Sequence, residues 1–239
     1  MIRAVLFDLD DTLFDHRYAA RCSLRYFRDT HERLRAYTLE HLEQEDFRLL
    51  TEKHALVLAG TLDLTESRIQ RIQLLFASCG EEISRDRARE LASQRVEIYR
   101  NSRQAVPGAV ALLHELKKTA RIGIVTNNFT EEQQGKLDAC GLAPFADVLV
   151  TSENTGYVKP DPRIFQTALQ RLECSPEEAV MVGDSWPVDI AGALHAGIRP
   201  VWFNRTGDST QNVSGIAELN SFEPASEAAM KILHDCPRS

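Results

Sequence analysis

Three aspartates follow the first apolar segment of the chain, in the hexapeptide DLDDTL that begins at Asp8. Val5–Phe7 is typical of a buried strand, so these carboxylates stand where that strand ends. Alternate residues of an extended chain face the same side, so Asp8 and Asp10 are expected to converge while Asp11 turns away. Two converging like charges are costly without a cation or a shared proton, which predicts a metal or proton-transfer site. The structural alternative is a turn in which Asp10 and Asp11 cap a helix.

Further polar groups follow later apolar segments in the same way. Each of them alone has an ordinary explanation as a turn, a helix cap or a surface lysine. Together with Asp8 and Asp10, and in this order, they predict a site of four acids, a hydroxyl, an amide and an ammonium. The groups are Thr126, Asn127 and Asn128, then Lys159, then Gly183, Asp184 and Asp189.

Two hydrophobic patterns indicate the elements that position these groups. In residues 15–105 apolar residues recur every three or four positions, which predicts helices, the last of which Ser84 can cap. After Pro107 strands alternate with helices, which predicts a parallel, doubly wound sheet. The fold class is therefore α/β, with a Rossmann-like core (1–14 and 106–239) and an inserted all-helical domain (15–105). The strands predicted after the first are Ile122–Thr126, Val148–Thr151, Val180–Val182 and Val201–Phe203.

Capping residues mark the helix boundaries within the core. The pairs Thr130/Gln133 and Ser175/Glu178 match the capping box, and Asp161 precedes a proline at a first helical position. In an open parallel sheet the carboxyl ends of the strands share one crevice. The polar groups of all the motifs are therefore expected to meet there.

Composition limits the partners of the chain. A formal net charge of −7 and an isoelectric point of about 5.6 argue against a nucleic-acid polymer as partner. The helical insertion is nearly balanced in charge, so its arginines are interpreted as solvated helix faces. Five cysteines without a CxxC pair suggest a reducing compartment. With no recognisable signal peptide or membrane span, we expect a cytoplasmic protein with no membrane partner; the sequence does not specify its oligomeric state.

The ordered motifs resemble those of the haloacid dehalogenase superfamily of phosphotransferases. The resemblance rests on DLDDTL at Asp8–Leu13, TNN at Thr126–Asn128, Lys159, and GDSWPVD at Gly183–Asp189. The helical insertion corresponds to the inserted cap domain of that family. The resemblance implies a phosphatase, that is, a phosphoric monoester hydrolase, with Mg²⁺ as cofactor.

The resemblance also implies a role for each motif residue. Asp8 would be the nucleophile that forms an aspartyl-phosphate, and Asp10 would act as acid and base. Mg²⁺ would be held by Asp8, the main-chain carbonyl of Asp10 and Asp184, with Asp189 supporting the metal shell. The phosphoryl oxygens would be held by Thr126, Asn127 and Lys159.

Other activities stay open as alternatives. Asp10 favours phosphoryl transfer over dehalogenation, because the dehalogenase motif lacks an acid at that position. A phosphomutase would need cap residues that return the phosphate, and the sequence does not identify any. A phospho-acceptor switch similar to receiver domains, or an inactive scaffold, shares the residue types, but the acceptor aspartate of a receiver follows a later strand.

Within the superfamily, the residues after Thr126 resemble those of pyrimidine 5′-nucleotidases and acylneuraminate-9-phosphatases. This resemblance predicts a small phosphorylated metabolite as substrate, with a nucleoside 5′-monophosphate ahead of sugar or acyl-sugar phosphates. Selectivity is expected from His16, Tyr18, Tyr26 and Phe27, which lie close in sequence to the catalytic loop. Trp186 is a further candidate, because its ring either walls the site or packs under the cap.

Overall fold

The computed structural model describes residues 1–208 and 215–234. The chain divides into two compact units, a core unit of Met1–Asp15 with Gln104–Ser239 and a helical unit of His16–Arg103. The core unit carries the strands and all the motifs discussed above. The domain boundaries drawn from the sequence, and the role of the helical unit as a cap, stay predictions. Of the predicted core segment, residues 209–214 and 235–239 lie outside the described residues.

The helical unit is built on amphipathic helices whose apolar faces meet. Residues spaced by three and four form one buried core, which includes Phe27, Leu49 and Phe76. Ser84 accepts a hydrogen bond from a first-turn N–H and so caps the last helix, as predicted. The helices are α1 (His16–Thr30), α2 (Glu32–Arg35), α3 (Leu39–Leu58), α4 (Leu64–Ser78) and α5 (Arg85–Asn101).

Charged residues of the helical unit also form a buried cluster. Asp46 on α3 accepts hydrogen bonds from Arg95 on α5, at 2.6 and 2.5 Å, and from Arg71 on α4 at 3.0 Å. Burial alone would raise the pKa of Asp46, but the two arginines hold it well below its usual range. The interpretation of the arginines as solvated helix faces is therefore wrong for Arg71 and Arg95, which join three helices through one carboxylate.

The core unit is built on a six-stranded parallel sheet. Its strands are β1 (Ala4–Phe7), β2 (Arg121–Thr126), β3 (Val148–Thr151), β4 (Ala179–Gly183), β5 (Arg199–Phe203) and β6 (Ala217–Leu219). They run in the order β3-β2-β1-β4-β5-β6, so β1 is central, and all four of its residues are buried. The α/β fold class is confirmed, whereas the edge strand β6 is not among the predicted strands.

The register of the sheet aligns the ends of its central strands. Phe7 pairs with Ile124 in β2 and with Val182 in β4. The N–H of Asp8 donates to the carbonyl of Val182 at 2.9 Å. The loop that follows β1 therefore begins beside the residues that end β2 and β4, which is where parallel sheets place their ligands.

Further helices flank this sheet: α6 (Ala109–Leu116), α7 (Thr130–Ala139), α8 (Ser152–Thr155), α9 (Pro162–Arg171), α10 (Ala191–His195) and α11 (Ala225–His234). Asp161 caps α9 as predicted. The capping box of Ser175 and Glu178 forms, but it starts a short 3₁₀ turn instead of an α-helix. The box predicted at Thr130 and Gln133 is wrong, because α7 has no side-chain cap. Within residues 1–208 and 215–234, no helix has the length and apolar character needed to cross a membrane.

Candidate active site

Lys159 joins two buried carboxylates at the carboxyl edge of the sheet. Its Nζ donates to Oδ1 of Asp8 and to Oδ1 of Asp189, each at 2.6 Å, and its side chain is 1% exposed. Asn127 holds the main chain of this lysine, accepting from its N–H at 2.7 Å and donating to its carbonyl at 3.0 Å. The side-chain amide of Asn127 is thus committed to Lys159. A phosphate contact by Asn127 stays a prediction and falls to its main-chain N–H.

Burial and charge shift the pKa values of Asp8 and Lys159 in different ways. Burial raises the pKa of Asp8 to about 7 against the lowering effect of Lys159, and the nearby carboxylates of Asp189 and Asp10 raise it as well. Burial would lower the pKa of Lys159, but the carboxylates of Asp189 and Asp8 raise it above its usual value. Lys159 therefore stays charged at neutral pH. A second cation near Asp8 would favour the ionised form of the Asp8 carboxyl group.

Asp8, Asp184 and Asp189 each bring a carboxylate oxygen within 4.8 Å of the other two. Gly183 permits this approach, because a Cβ at that position would lie 2.5 Å from the side chain of Asp189. The N–H of Asp184 donates to the hydroxyl of Thr12 at 3.1 Å, which ties the end of β4 to the loop after β1. An acidic, all-oxygen donor set suits a hard divalent cation. These three carboxylates could therefore hold a metal ion, and Asp189, assigned to a supporting position from sequence, lies among them.

Asp10 contacts two residues that sequence reasoning missed. Lys136 donates to both of its oxygens, at 2.6 and 2.8 Å, and Gln133 donates to Oδ2 at 3.1 Å. Gln133 also donates to the hydroxyl of Thr126 at 2.5 Å. Asp10 is close enough to Asp8 to raise the pKa of that residue. The lysine that binds Asp10 is nevertheless Lys136 and not Lys159. The available sequence signal was the three-residue spacing of Gln133 and Lys136, which places both on one face of α7.

The loop after β1 is a closed turn, and Asp10 and Asp11 lie within it. The carbonyl of Leu9 accepts hydrogen bonds from the N–H groups of residues 12–14, and Asp11 has a left-handed φ of 62°. Asp15, at the end of the loop, forms a paired contact with the guanidinium of Arg205 at 2.7 and 3.0 Å. The next helix, α1, begins only after Asp15. The turn of the structural alternative is therefore present, whereas a helix cap by Asp10 or Asp11 is wrong.

The candidate specificity residues are divided between the two units. Trp186 lies in a π-helical turn after β4, and its ring packs edge-on against that of Trp202, with 5.1 Å between centroids. One side of the Trp186 ring is therefore packed within the core unit. His16, Tyr18 and Tyr26 belong to α1 of the helical unit, where the two tyrosines are 44% and 39% exposed. A contact of these residues with substrate stays a prediction.

Comparison with known proteins relates this site to a family. A family model described as haloacid dehalogenase-like hydrolase matches residues 2–197. Glyceraldehyde 3-phosphate phosphatase of Methanothermobacter thermautotrophicus is 30% identical over 213 residues, which cover 85% of this chain and 86% of that protein. Pyrimidine 5′-nucleotidase YjjG of Escherichia coli is 42% identical over 101 residues, 41% of this chain and 44% of that protein. Among solved structures, the HAD-hydrolase YfnB of Bacillus subtilis bound to magnesium matches with a TM-score of 0.74 at 26% identity, over 98% of this chain and 99% of that chain.

Proposed function

Since this chain belongs to the haloacid dehalogenase-like hydrolases and its relatives are phosphatases, we propose that it hydrolyses small phosphate monoesters through an aspartyl-phosphate on Asp8, with Mg²⁺ as cofactor. Phosphatase activity on small phosphorylated metabolites follows from the relationship itself. The finer proposal rests on one observation: Asp8 is buried between the ammonium of Lys159 and two further carboxylates. A carboxylate so placed suits a nucleophile that works beside a metal.

The first half-reaction transfers the phosphoryl group to the protein. A carboxylate oxygen of Asp8 attacks phosphorus while the bond between phosphorus and the ester oxygen breaks. Asp10, protonated at this stage, gives its proton to the departing oxygen, so the alcohol leaves neutral. Lys159 and Thr126 stabilise the charge on the phosphoryl oxygens. The products are an aspartyl-phosphate, a free alcohol and an ionised Asp10.

The second half-reaction returns the phosphoryl group to water. A water molecule attacks phosphorus while the carboxylate of Asp10 takes a proton from it. The bond between phosphorus and the Asp8 oxygen breaks, and inorganic phosphate leaves. Asp8 is again ionised and Asp10 again protonated, so the cycle consumes one ester and one water.

The residues around Asp8 fit a divalent cation. Asp8, Asp184 and Asp189 bring three carboxylate oxygens within 4.8 Å of one another beside the ammonium of Lys159, and this concentration of acids supports a further cation at the site. These carboxylates, with the main-chain carbonyl of Asp10 assigned from sequence, would hold it. When bound, Mg²⁺ would offset the repulsion between the carboxylates and the phosphate dianion.

We expect the hydrolysis of p-nitrophenyl phosphate to be lost in EDTA and to return when excess Mg²⁺ is added. Ca²⁺ is expected to inhibit, because its larger and looser coordination shell disturbs the geometry of the nucleophile. Asp184→Asn should require more Mg²⁺ for half-maximal activity. Asp86→Asn, at a highly exposed position of the helical unit, is the matched control. Full activity in EDTA would contradict the metal assignment.

Among small monoesters, pyrimidine nucleoside 5′-monophosphates are the proposed preferred substrates. Support comes from the partial similarity to the Escherichia coli nucleotidase. Exposed rings such as those of Tyr18 and Tyr26 can stack on a nucleobase. Sugar or acyl-sugar phosphates are the alternative, which the similarity to glyceraldehyde 3-phosphate phosphatase over 85% of this chain favours. A phosphomutase ranks below both, and dehalogenation is disfavoured by the presence of Asp10.

A substrate panel tests this choice through kcat/KM for nucleoside monophosphates, triose and hexose phosphates and an acylneuraminate 9-phosphate. Pyrimidine nucleotides are expected to lead, and a 2-haloacid is expected to release no halide. Tyr18→Ala and Tyr26→Ala should lower kcat/KM for nucleotides only, whereas Phe47→Ala, which removes another exposed ring of the helical unit, should change nothing. A tenfold lead for sugar phosphates, about 1.4 kcal/mol of transition-state preference, would contradict the nucleotide choice and leave the phosphatase proposal standing.

A further inference from the structure

The contacts of Asp10 with α7 suit its carboxylate form, which is the form that it takes in the proposed cycle once it has given up its proton. Lys136 Nζ donates to Oδ1 at 2.6 Å and to Oδ2 at 2.8 Å, and Gln133 Nε2 donates to Oδ2 at 3.1 Å. We propose that Lys136, assisted by Gln133, is a positioning residue that orients the carboxyl group of Asp10 toward the leaving group. This inference rests on the proposed function, in which Asp10 is the acid and base.

Asp10 needs such support because it is the more exposed of the two reacting aspartates. Its side chain is 29% exposed, against 10% for that of Asp8. A partly exposed carboxylate turns about its Cβ–Cγ bond and exchanges partners with water unless protein donors fix it. Two donors on one helix fix both its place and its plane, and proton transfer depends on such alignment.

Lys136 is itself held in place. Its side chain is 5% exposed, and its Nζ lies 5.2 Å from the centroid of the Phe14 ring. The carbonyl of Phe14 accepts the N–H of Asp11 at 2.7 Å, so the ring belongs to the same closed loop as Asp10. The ion pair and the cation–π contact therefore hold the ammonium against one loop. A lysine held by an ion pair and a ring contact restricts the orientation of the Asp10 carboxyl group more than a flexible surface lysine would.

Gln133 adds a second fixed donor and a link to the phosphate-binding hydroxyl. The residue is fully buried, and its Nε2 donates to Thr126 Oγ1 at 2.5 Å as well as to Asp10. Its Oε1 has no hydrogen-bond partner in the described part of the chain. An unpaired buried carbonyl is costly, so an amide that keeps this orientation does so for its two donor contacts. Through Gln133, the group that moves the proton and the hydroxyl that holds phosphate are set relative to each other.

Charge neutralisation is a different role for Lys136, and the two roles predict different kinetics. If Lys136 only balances the charge of Asp10, its removal destabilises the fold and slows the hydrolysis of all esters alike. If it positions Asp10, the loss falls on esters whose leaving group needs a proton. p-Nitrophenolate departs readily without one, whereas phenolate departs poorly.

The test compares p-nitrophenyl phosphate with phenyl phosphate on the Mg²⁺-loaded full chain. In Lys136→Met, kcat for phenyl phosphate is expected to fall by up to roughly 10²-fold, kcat for p-nitrophenyl phosphate by much less, and KM for both to change little. Asp10→Asn is the reference variant and should show the same selectivity. Lys117→Met is the matched control, because Lys117 also pairs with an aspartate at 2.6 Å but at a more exposed position of the core unit. The Tm of each variant reports folding.

Further variants distinguish a positioning role of Lys136 from the other possible results. Lys136→Arg keeps a cation and paired donors toward Asp10, so it should restore the wild-type ratio of the two kcat values even where its Tm is lower. If Lys136→Met does not fold, Gln133→Leu serves in its place and should show the same selectivity to a smaller extent. Lys136→Met could lower kcat equally for both esters while Asp10→Asn lowers it mainly for phenyl phosphate. That result would overturn the positioning role and leave the proposed function intact. An Asp10→Asn variant that treats both esters alike would overturn the acid role of Asp10 itself.

Discussion

Asp8→Asn is expected to abolish turnover of p-nitrophenyl phosphate, with a loss in kcat on the order of 10⁶-fold. A carboxamide is a poor nucleophile, so no aspartyl-phosphate should form. The change is nearly isosteric, and the amide oxygen can still accept from Lys159, so the buried site keeps its packing. Rapid quenching with labelled substrate measures the phosphoenzyme directly. Asp86→Asn, far more exposed, should form phosphoenzyme as the wild type does.

Asp10→Asn is expected to fail in a different way. Loss of a general acid and base slows the reaction by roughly 10²–10⁴-fold. With a good leaving group the first half-reaction continues while the attack of water lacks its base, so phosphoenzyme should accumulate. The amount of trapped phosphoenzyme thus distinguishes the two variants. Equal and mild losses in Asp8→Asn and Asp10→Asn would contradict both roles.

The central part of the site was predictable because parallel sheets constrain strand ends. Once Val5–Phe7 is identified as a strand, Asp8 must stand at its carboxyl end, and the residues after β2 and β4 must stand beside it. The α/β pattern therefore sufficed to place Asp8 near Asp184 and Asp189 without any contact information. Lys159 was harder to place, because only its order among the motifs distinguished it from the other lysines.

The missed residues depend on tertiary contacts that local patterns do not encode. Thr130 and Gln133 match a capping box by spacing, but the N–H of Thr130 donates to Glu153. The side chain of Gln133 donates to Asp10 and Thr126 instead of accepting from that N–H. Lys136 resembles a surface lysine until the loop after β1 lies against α7. The local rule failed where side chains of a helix form contacts with a loop that is distant in sequence.

Two further misses have equally physical causes. The strand β6 spans three residues at the sheet edge, too few for an alternating pattern to be recognised. The arginines of the helical unit were interpreted by charge balance alone, and that balance does not tell which of them meet a buried carboxylate. Asp46 binds Arg71 and Arg95 in this way, and only the packing of three helices reveals it.

Lys159→Met is expected to lower the free energy of unfolding by about 3–5 kcal/mol at alkaline pH in EDTA. Methionine keeps most of the length of the side chain but not its charge, so Asp8 and Asp189 would be buried without their cation. Turnover should fall as well, because the phosphoryl oxygens lose a point charge. Lys159→Arg should rescue poorly, since its wide planar group does not fit a position that is 1% exposed.

The destabilisation caused by Lys159→Met should depend on pH, and the raised pKa of Asp8 determines at which pH it is larger. Burial raises the pKa of Asp8 to about 7 even though Lys159 lowers it, so removing the lysine raises that pKa further. A carboxyl pKa raised by folding stabilises the fold below its unfolded value of about 3.9, and the contribution is lost as pH rises through the folded value. The gap between Lys159→Met and the wild type should therefore be larger above about pH 7 than near pH 5.

Urea unfolding in EDTA at about pH 5 and about pH 8 measures this gap. Lys118→Met, which removes an exposed ion pair with Glu115, should show little gap at either pH. Added Mg²⁺ at the higher pH should return part of the stability lost in Lys159→Met, because a cation that binds only the folded state stabilises it. A gap of equal size at both pH values would contradict the dependence of the Asp8 carboxylate on the charge of Lys159.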